Sequence, residues 1–171
     1  MQIRLLHQRD AEALLQFERA NRAWFEQFIE DRGDWFYTLG GIRAHLADFA
    51  EKQAVGNLYP CLMLDDAGAI IGRVNLRDIE RQSHTAKLGY RVAAHCTGRG
   101  VTSAAVVGML EIARTHLHLK QLLAHVSVEN PASIRVLEKC GFVWAGMRDG
   151  KSIVQGRALD CREYVYLLDA G

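Results

Sequence analysis

Thr97-Gly98-Arg99-Gly100-Val101-Thr102 has the residue types of a phosphate cradle. It follows the apolar, strand-like run Ala86-Lys87-Leu88-Gly89-Tyr90-Arg91-Val92 and opens a helix-like run that reaches about Thr115. Glycine tolerates a positive φ and lets the backbone come close to a ligand, and the first N–H groups of a helix favour an anion. Gly98 and Gly100 meet the first need, the start of the helix at Val101 and Thr102 meets the second, and Arg99 adds a cation. A plain strand-to-helix turn explains the same residues, so a second signal is required.

That signal lies further along. Gln121 to Val128 reads as a strand, and Glu129-Asn130-Pro131-Ala132-Ser133 follows it directly. Asn130 suits a helix N-cap and Pro131 the first helical position, where a missing N–H costs nothing. The helix expected from Ala132 to Cys140 turns Ile134, Val136 and Leu137 inward, Gly141 fits the left-handed residue that ends it, and Phe142-Val143-Trp144 resumes a strand.

These stretches together resemble a known family. Gly98-Arg99-Gly100-Val101-Thr102, Val128-Glu129-Asn130-Pro131-Ala132-Ser133 and Leu137-Glu138-Lys139-Cys140-Gly141-Phe142 are similar to the acyl-CoA-binding core of the GNAT superfamily of N-acetyltransferases. Leu88 to Leu168 is most similar to the RimJ/RimL-type group, named for enzymes that acetylate the N-termini of ribosomal proteins. Two positions depart from the pattern. Thr97 stands where the family usually has Gln or Arg, and Thr102 where it usually has Gly or Ala. Thr102 is still small, and with Ser103 it offers hydroxyls to phosphate oxygens.

The resemblance implies acetyl-CoA as cosubstrate and direct transfer of its acetyl group to a primary amine in a ternary complex. Backbone groups at Tyr90, Arg91 and Val92 would pair with the pantetheine arm, and an N–H near Val92 would polarise the thioester carbonyl. An ordinary strand end is the other reading of those three residues. Ser133, one helical turn from Asn130 on the same face, is implied as the general acid near the sulfur; a serine bonded to backbone in a first turn looks the same in sequence. Asn130 is compatible with capping and cofactor contact at once. Glu80, Asp160 and Glu163 are carboxylates near strands from which a general base is sought, beside water, and Glu80 is taken as the leading one. Trp24-Phe25 and Trp35-Phe36-Tyr37, with Glu26, Asp31 and Asp34 between, fall where this fold lines its acceptor site; a local apolar core is the commoner use of such residues. The expected acceptor is a protein N-terminal α-amine. The alternatives are a small amine (aminoglycoside, polyamine or amino acid) or a non-catalytic acyl-CoA-binding module.

Composition bounds the rest. The chain has 171 residues, 49% hydrophobic and 24% charged, with a net charge of +1, which fits one globular domain; the resemblance implies that it is a single N-acetyltransferase domain over residues 1–171. Near neutrality argues against a nucleic-acid groove, and no apolar run has membrane-spanning length. Residues 1–60 hold 7 Lys/Arg against 9 Asp/Glu, and residues 61–171 hold 14 against 11. No basic n-region with an apolar h-region opens the chain, so the expected location is the cytoplasm. Cys61, Cys96, Cys140 and Cys161 lack C-x-x-C spacing and are expected as reduced thiols, Cys96 as an apolar filler beside the turn. The histidines form no metal set, so no metal is expected. A monomer and a homodimer both fit.

The elements that must hold these residues read as follows. Ile3 to Leu6 is a first strand, Asp10 caps a helix to about Phe28, and Leu39 to Glu51 is a second helix. Cys61 to Leu64 and Ala69 to Val74 form a hairpin on an Asp66–Gly68 turn. Val74 to Glu80 and Thr85 to Val92 follow, joined by Arg81–His84. Trp144 to Met147 and Glu163 to Leu168 close the chain as a long hairpin. The fold class is α/β (α+β): one GNAT-type domain with a mixed, mostly antiparallel central sheet of six to seven strands flanked by helices.

Overall fold

Seven strands in the order β1-β2-β3-β4-β5-β7-β6 make one sheet in the computed structural model, which describes residues 1–168. The last three residues of the expected domain lie outside the described ones. The strands are β1 (Gln2–Leu5), β2 (Leu58–Leu64), β3 (Ile70–Glu80), β4 (Thr85–Val92), β5 (Gln121–Ser127), β6 (Val143–Val154) and β7 (Arg157–Leu167). Only β4 and β5 pair in parallel; the other described pairings are antiparallel. The mixed, mostly antiparallel sheet expected from sequence is the one observed.

Six helices flank it: α1 (Ala11–Ala20), α2 (Arg22–Phe25), α3 (Gly33–Phe36), α4 (Leu39–Ala54), α5 (Val101–Thr115) and α6 (Pro131–Lys139). Side chains alternate across a strand, and two contacts show which face is which. Arg73 of β3 bonds Glu18 of α1, whereas Tyr90 of β4 bonds Ser133 of α6. The face bearing Arg73, Arg91 and Arg77 therefore looks towards α1–α4, and the face bearing Val74, Leu88 and Tyr90 towards α5 and α6. Leu14, Ile42, Leu62, Leu76, Met109 and Leu122 are fully buried in the core, each stabilising by about 1.5–3 kcal/mol.

Three elements differ from expectation. The helix expected from Asp10 to Phe28 breaks at Asn21, whose Nδ2 donates to the Phe17 carbonyl at 2.9 Å and whose backbone leaves helical ψ. Asp10 does not cap α1 through its side chain, because its carboxylate is taken by Arg4 at 2.7 Å and the His7 N–H at 2.8 Å. In the β2–β3 hairpin the turn chemistry belongs to Asp65, whose Oδ1 accepts from the Ala67 and Ala69 N–H groups, while Asp66 pairs with the N-terminal amine. The β6–β7 hairpin is much longer than expected and turns on Gln155-Gly156, both at positive φ, as a two-residue hairpin loop requires.

Candidate active site

The register of β4 with β5 runs from Thr85↔Gln121 to Leu88↔Ala124 and stops there. Both strands continue, β4 to Val92 and β5 to Ser127, with β5 still paired to β7 up to Ser127. The sheet is therefore parted between two adjacent parallel strands, at Gly89–Val92 on one side and His125–Ser127 on the other. A groove of about 1250 Å³ passes through this gap. That is ample for two substrates at once.

On the α5/α6 face the groove ends at the glycine turn. Gly98 and Gly100 sit at φ +72 and +77, and a Cβ on either would meet nothing within 4 Å. Glycine is needed there for the backbone conformation, and the space above the turn is open. The N–H groups of Gly98 through Ser103 have no acceptor among the described residues, so they are available as donors at the start of the 15-residue helix α5. Gly98, Gly100, Val101, Thr102 and Ser103 line the groove; the exposed Arg99 does not. Thr97 Oγ1 donates to the Ala94 carbonyl at 2.8 Å and so closes the turn before the cradle. Cys96 is buried in the core beside it.

Helix α6 brings its first turn to the same groove. Asn130 Oδ1 accepts from the Ser133 N–H at 3.1 Å with Pro131 in the first helical position, and Gly141 takes φ +88 after the last turn. Ser133 Oγ lies 2.8 Å from Tyr90 Oη across the gap. Burial pushes the Tyr90 phenol up to about 12, so it stays protonated at neutral pH and can donate to the serine oxygen. The Ser133 carbonyl, 3.3 Å away, is a second and longer acceptor for the phenol; when the phenol donates to Oγ, Ser133 can turn its own proton into the groove.

The opposite face is built on charge. Glu18, fully buried on α1, accepts through Oε1 from Arg73 Nη1 at 3.0 Å and also from Arg91 Nη2. Arg73 Nη2 donates to His45 Nε2 at 2.9 Å, and burial with the Arg73 charge pushes that imidazole down to about 2, so it is neutral. Trp24 Nε1 donates to the Val92 carbonyl at 3.1 Å, and its ring lines this mouth of the groove. On β5, His125 Nε2 lies 2.8 Å from Glu163 Oε2, and Arg148 holds both Glu163 oxygens at 3.0 and 2.7 Å. The Arg148 guanidinium, more than His125, keeps Glu163 below the usual carboxylate range.

The remaining expected residues fall elsewhere. Glu80 is exposed at the β3–β4 hairpin, opposite Thr85, and accepts from Ser83 Oγ at 3.1 Å; the strand from Thr85 to the start of the gap at Gly89 is about 13 Å long. Asp160 accepts from the Gly150 N–H at 2.9 Å. Glu26, Asp31 and Asp34 gather around Arg22 rather than lining the groove. Trp24 and Phe25 line it, while Trp35 is 65% exposed.

Residues 1–143 match the family model described as an acetyltransferase (GNAT) domain. The chain belongs to the GNAT acetyltransferase family. It is 34% identical over 142 residues to the Probable N-acetyltransferase YjcK of Bacillus subtilis, spanning 82% of this chain and 78% of that protein. Ribosomal-protein-S5-alanine acetyltransferase from Vibrio fischeri superposes with a TM-score of 0.92 at 23% identity, over 98% of this chain and 92% of that one. Spermidine N-acetyltransferase from Vibrio cholerae, solved in complex with CoA and spermine, gives 0.82 at 22% identity, over 98% and 95%.

As a GNAT N-acetyltransferase the chain uses acetyl-CoA as cosubstrate, and its acceptor is an amine. The unpaired N–H groups and open space at the glycine turn fit a pyrophosphate. Glu18, Arg73, His45 and the Tyr90 phenol were not legible as site residues. Glu18 follows Leu14 at i+4 on the inner face of α1, and Arg73 interrupts the apolar run Ile70 to Val74. A charge on an inward face was the signal available. Among the described residues no helix is long and apolar enough to cross a membrane.

Proposed function

We propose that this acetyltransferase moves the acetyl group directly from acetyl-CoA to an α-amine, in a ternary complex formed across the parted strands. One observation carries the reading: the Tyr90–Ser133 pair spans the gap where β4 and β5 separate. Acetyl-CoA supplies the activated thioester. The N–H groups from Gly98 to Ser103 bind its pyrophosphate, and backbone groups at Tyr90, Arg91 and Val92 meet the arm that leads to the gap. Asn130 sets the first turn of α6, and Ser133 passes a proton to the departing sulfur, backed by Tyr90. A thiol of pKa about 8.5 needs only that modest help.

The proton of the attacking amine goes to His125, oriented by Glu163. Its Nδ1 has no partner among the described residues, and the residue lines the groove. A carboxylate-held imidazole is a common general base. The acceptor we favour is a protein N-terminus, in line with the RimJ/RimL-type resemblance.

The test pairs binding with turnover. Saturating acetyl-CoA and CoA should raise the melting temperature by roughly 5 °C, and ATP should not. Ser133→Ala and His125→Gln should each lower the transfer rate about 10–100-fold, with the CoA-induced shift kept. Unchanged rates would remove these two residues from the mechanism. A CoA shift with no transfer to any amine would leave only a binding module.

A further inference from the structure

The half of the groove facing α1–α4 holds more positive charge than its carboxylates balance. Arg73 and Arg91 stand opposite each other in register and share one oxygen of the single carboxylate Glu18. Lys52 is matched by Asp48 at 2.7 Å and Lys87 by Asp78 at 2.9 Å. Arg32 and Arg77 also line the groove; among the described residues neither makes a salt bridge, and each feels a carboxylate only through space, Arg32 that of Glu18 and Arg77 that of Asp78. Arg32 instead lies over the Phe36 ring at 4.7 Å, exposed to solvent. His45 is neutral and adds nothing. Four guanidiniums therefore gather where the only carboxylates among the described residues are Glu18, already bound by two of them, and Asp78, already bound by Lys87.

This excess is distinct from the cofactor cradle. The arginine side chains project from the face opposite Tyr90 and Ser133, so they cannot serve the glycine turn on the α5/α6 side. Arg91 belongs to both regions: its backbone edges the gap, its guanidinium lies over Phe25 at 5.0 Å, and its Nε and Nη1 have no acceptor among the described residues. Burial and the Arg73 charge push it down to about 10, as expected for a cation crowded by another cation. An anion between Arg32 and Arg91 would relieve that crowding and accept forked, charge-assisted hydrogen bonds.

We propose, resting on the transferase reading above, that the acceptor carries a carboxylate near its amine, and that Arg32 and Arg91 receive it. A polycationic amine would meet like charge at this mouth and is disfavoured. The carboxylate comes either from a free amino acid or from an acidic side chain beside a peptide N-terminus.

Calorimetric titration of the CoA-saturated protein with acetylated products separates these sources without turnover. The pairs are N-acetylglycine against N-acetylglycinamide, and acetyl-Ser-Asp-amide against acetyl-Ser-Asn-amide. The carboxylate member of at least one pair should bind about tenfold tighter, and the pair that shows it names the source. Arg32→Gln should remove that preference and leave CoA binding unchanged. Equal binding within both pairs, or a preference that survives Arg32→Gln, would overturn the proposal. So would acetylation of spermidine with a higher kcat/KM than any carboxylate-bearing amine. Selective carboxylate binding with no transfer to any amine would sink the transferase reading and leave this one standing.

Discussion

His45 joins the structure of the site to its stability. The imidazole packs tilted against Phe49 with centroids 4.0 Å apart and accepts from Arg73, so protonation would destroy the bond and place two cations together. Its pKa falls from 6.5 to about 2, by burial first and then by the Arg73 charge. The unfolded chain takes up the proton near 6.5 and the folded chain does not. The stability contributed by neutral His45 is therefore whole above about pH 6.5 and drains as the pH falls towards the folded value. Between about pH 6.5 and 5 the loss is about 1–2 kcal/mol, allowing for partial exposure of the ring. The melting temperature should fall from about pH 7 to 5, and fall less in His45→Gln, whose amide oxygen can accept the same Arg73 bond. Equal slopes in the two proteins would show that another group carries the dependence.

Helix α6 shows how one cap sets the position of a reacting group. The N–H that Asn130 satisfies is that of Ser133 itself, so loss of the cap frays the turn that aims the hydroxyl at Tyr90. Asn130→Ala should cost about 1 kcal/mol, lower kcat and speed amide exchange at Ser133, whereas the cap-competent Asn130→Ser should restore both. If Asn130→Ala lost CoA affinity with kcat intact, the residue would act through the cofactor instead. The other elements were legible to different degrees. Glycine, proline and asparagine at 98, 100, 130, 131 and 141 announced α5 and α6 because backbone geometry demands them. The middle of the β6–β7 hairpin carries Arg148, Asp149, Gly150 and Ser152, with no apolar alternation to read. Main-chain pairing on the Gln155-Gly156 turn builds it instead.

Across the whole molecule, the cofactor cradle and the arginine-lined mouth occupy opposite faces of one sheet and meet only where β4 and β5 part. Both substrates can be held at once, and no relay through a covalent acyl-protein is required. Initial rates at varied acetyl-CoA and amine should give intersecting double-reciprocal lines. Parallel lines, with acetyl trapped on the protein, would point to a nucleophile such as the buried Cys96 and sink direct transfer.

Local chemistry determined what the sequence alone could reveal: the glycine turn, the capped helix with its serine, the resemblance they carry and the largely antiparallel sheet. Each depends on residues close together in the chain, where φ preference, capping and alternation act. The gap opens between strands paired 36 positions apart, and the Tyr90–Ser133 bond and the bonds of Arg73 and Arg91 to Glu18 join residues 43 to 73 positions apart. Only strand register and helix packing could decide those, because a side chain's charge acts through space, and its neighbours there are set by the fold.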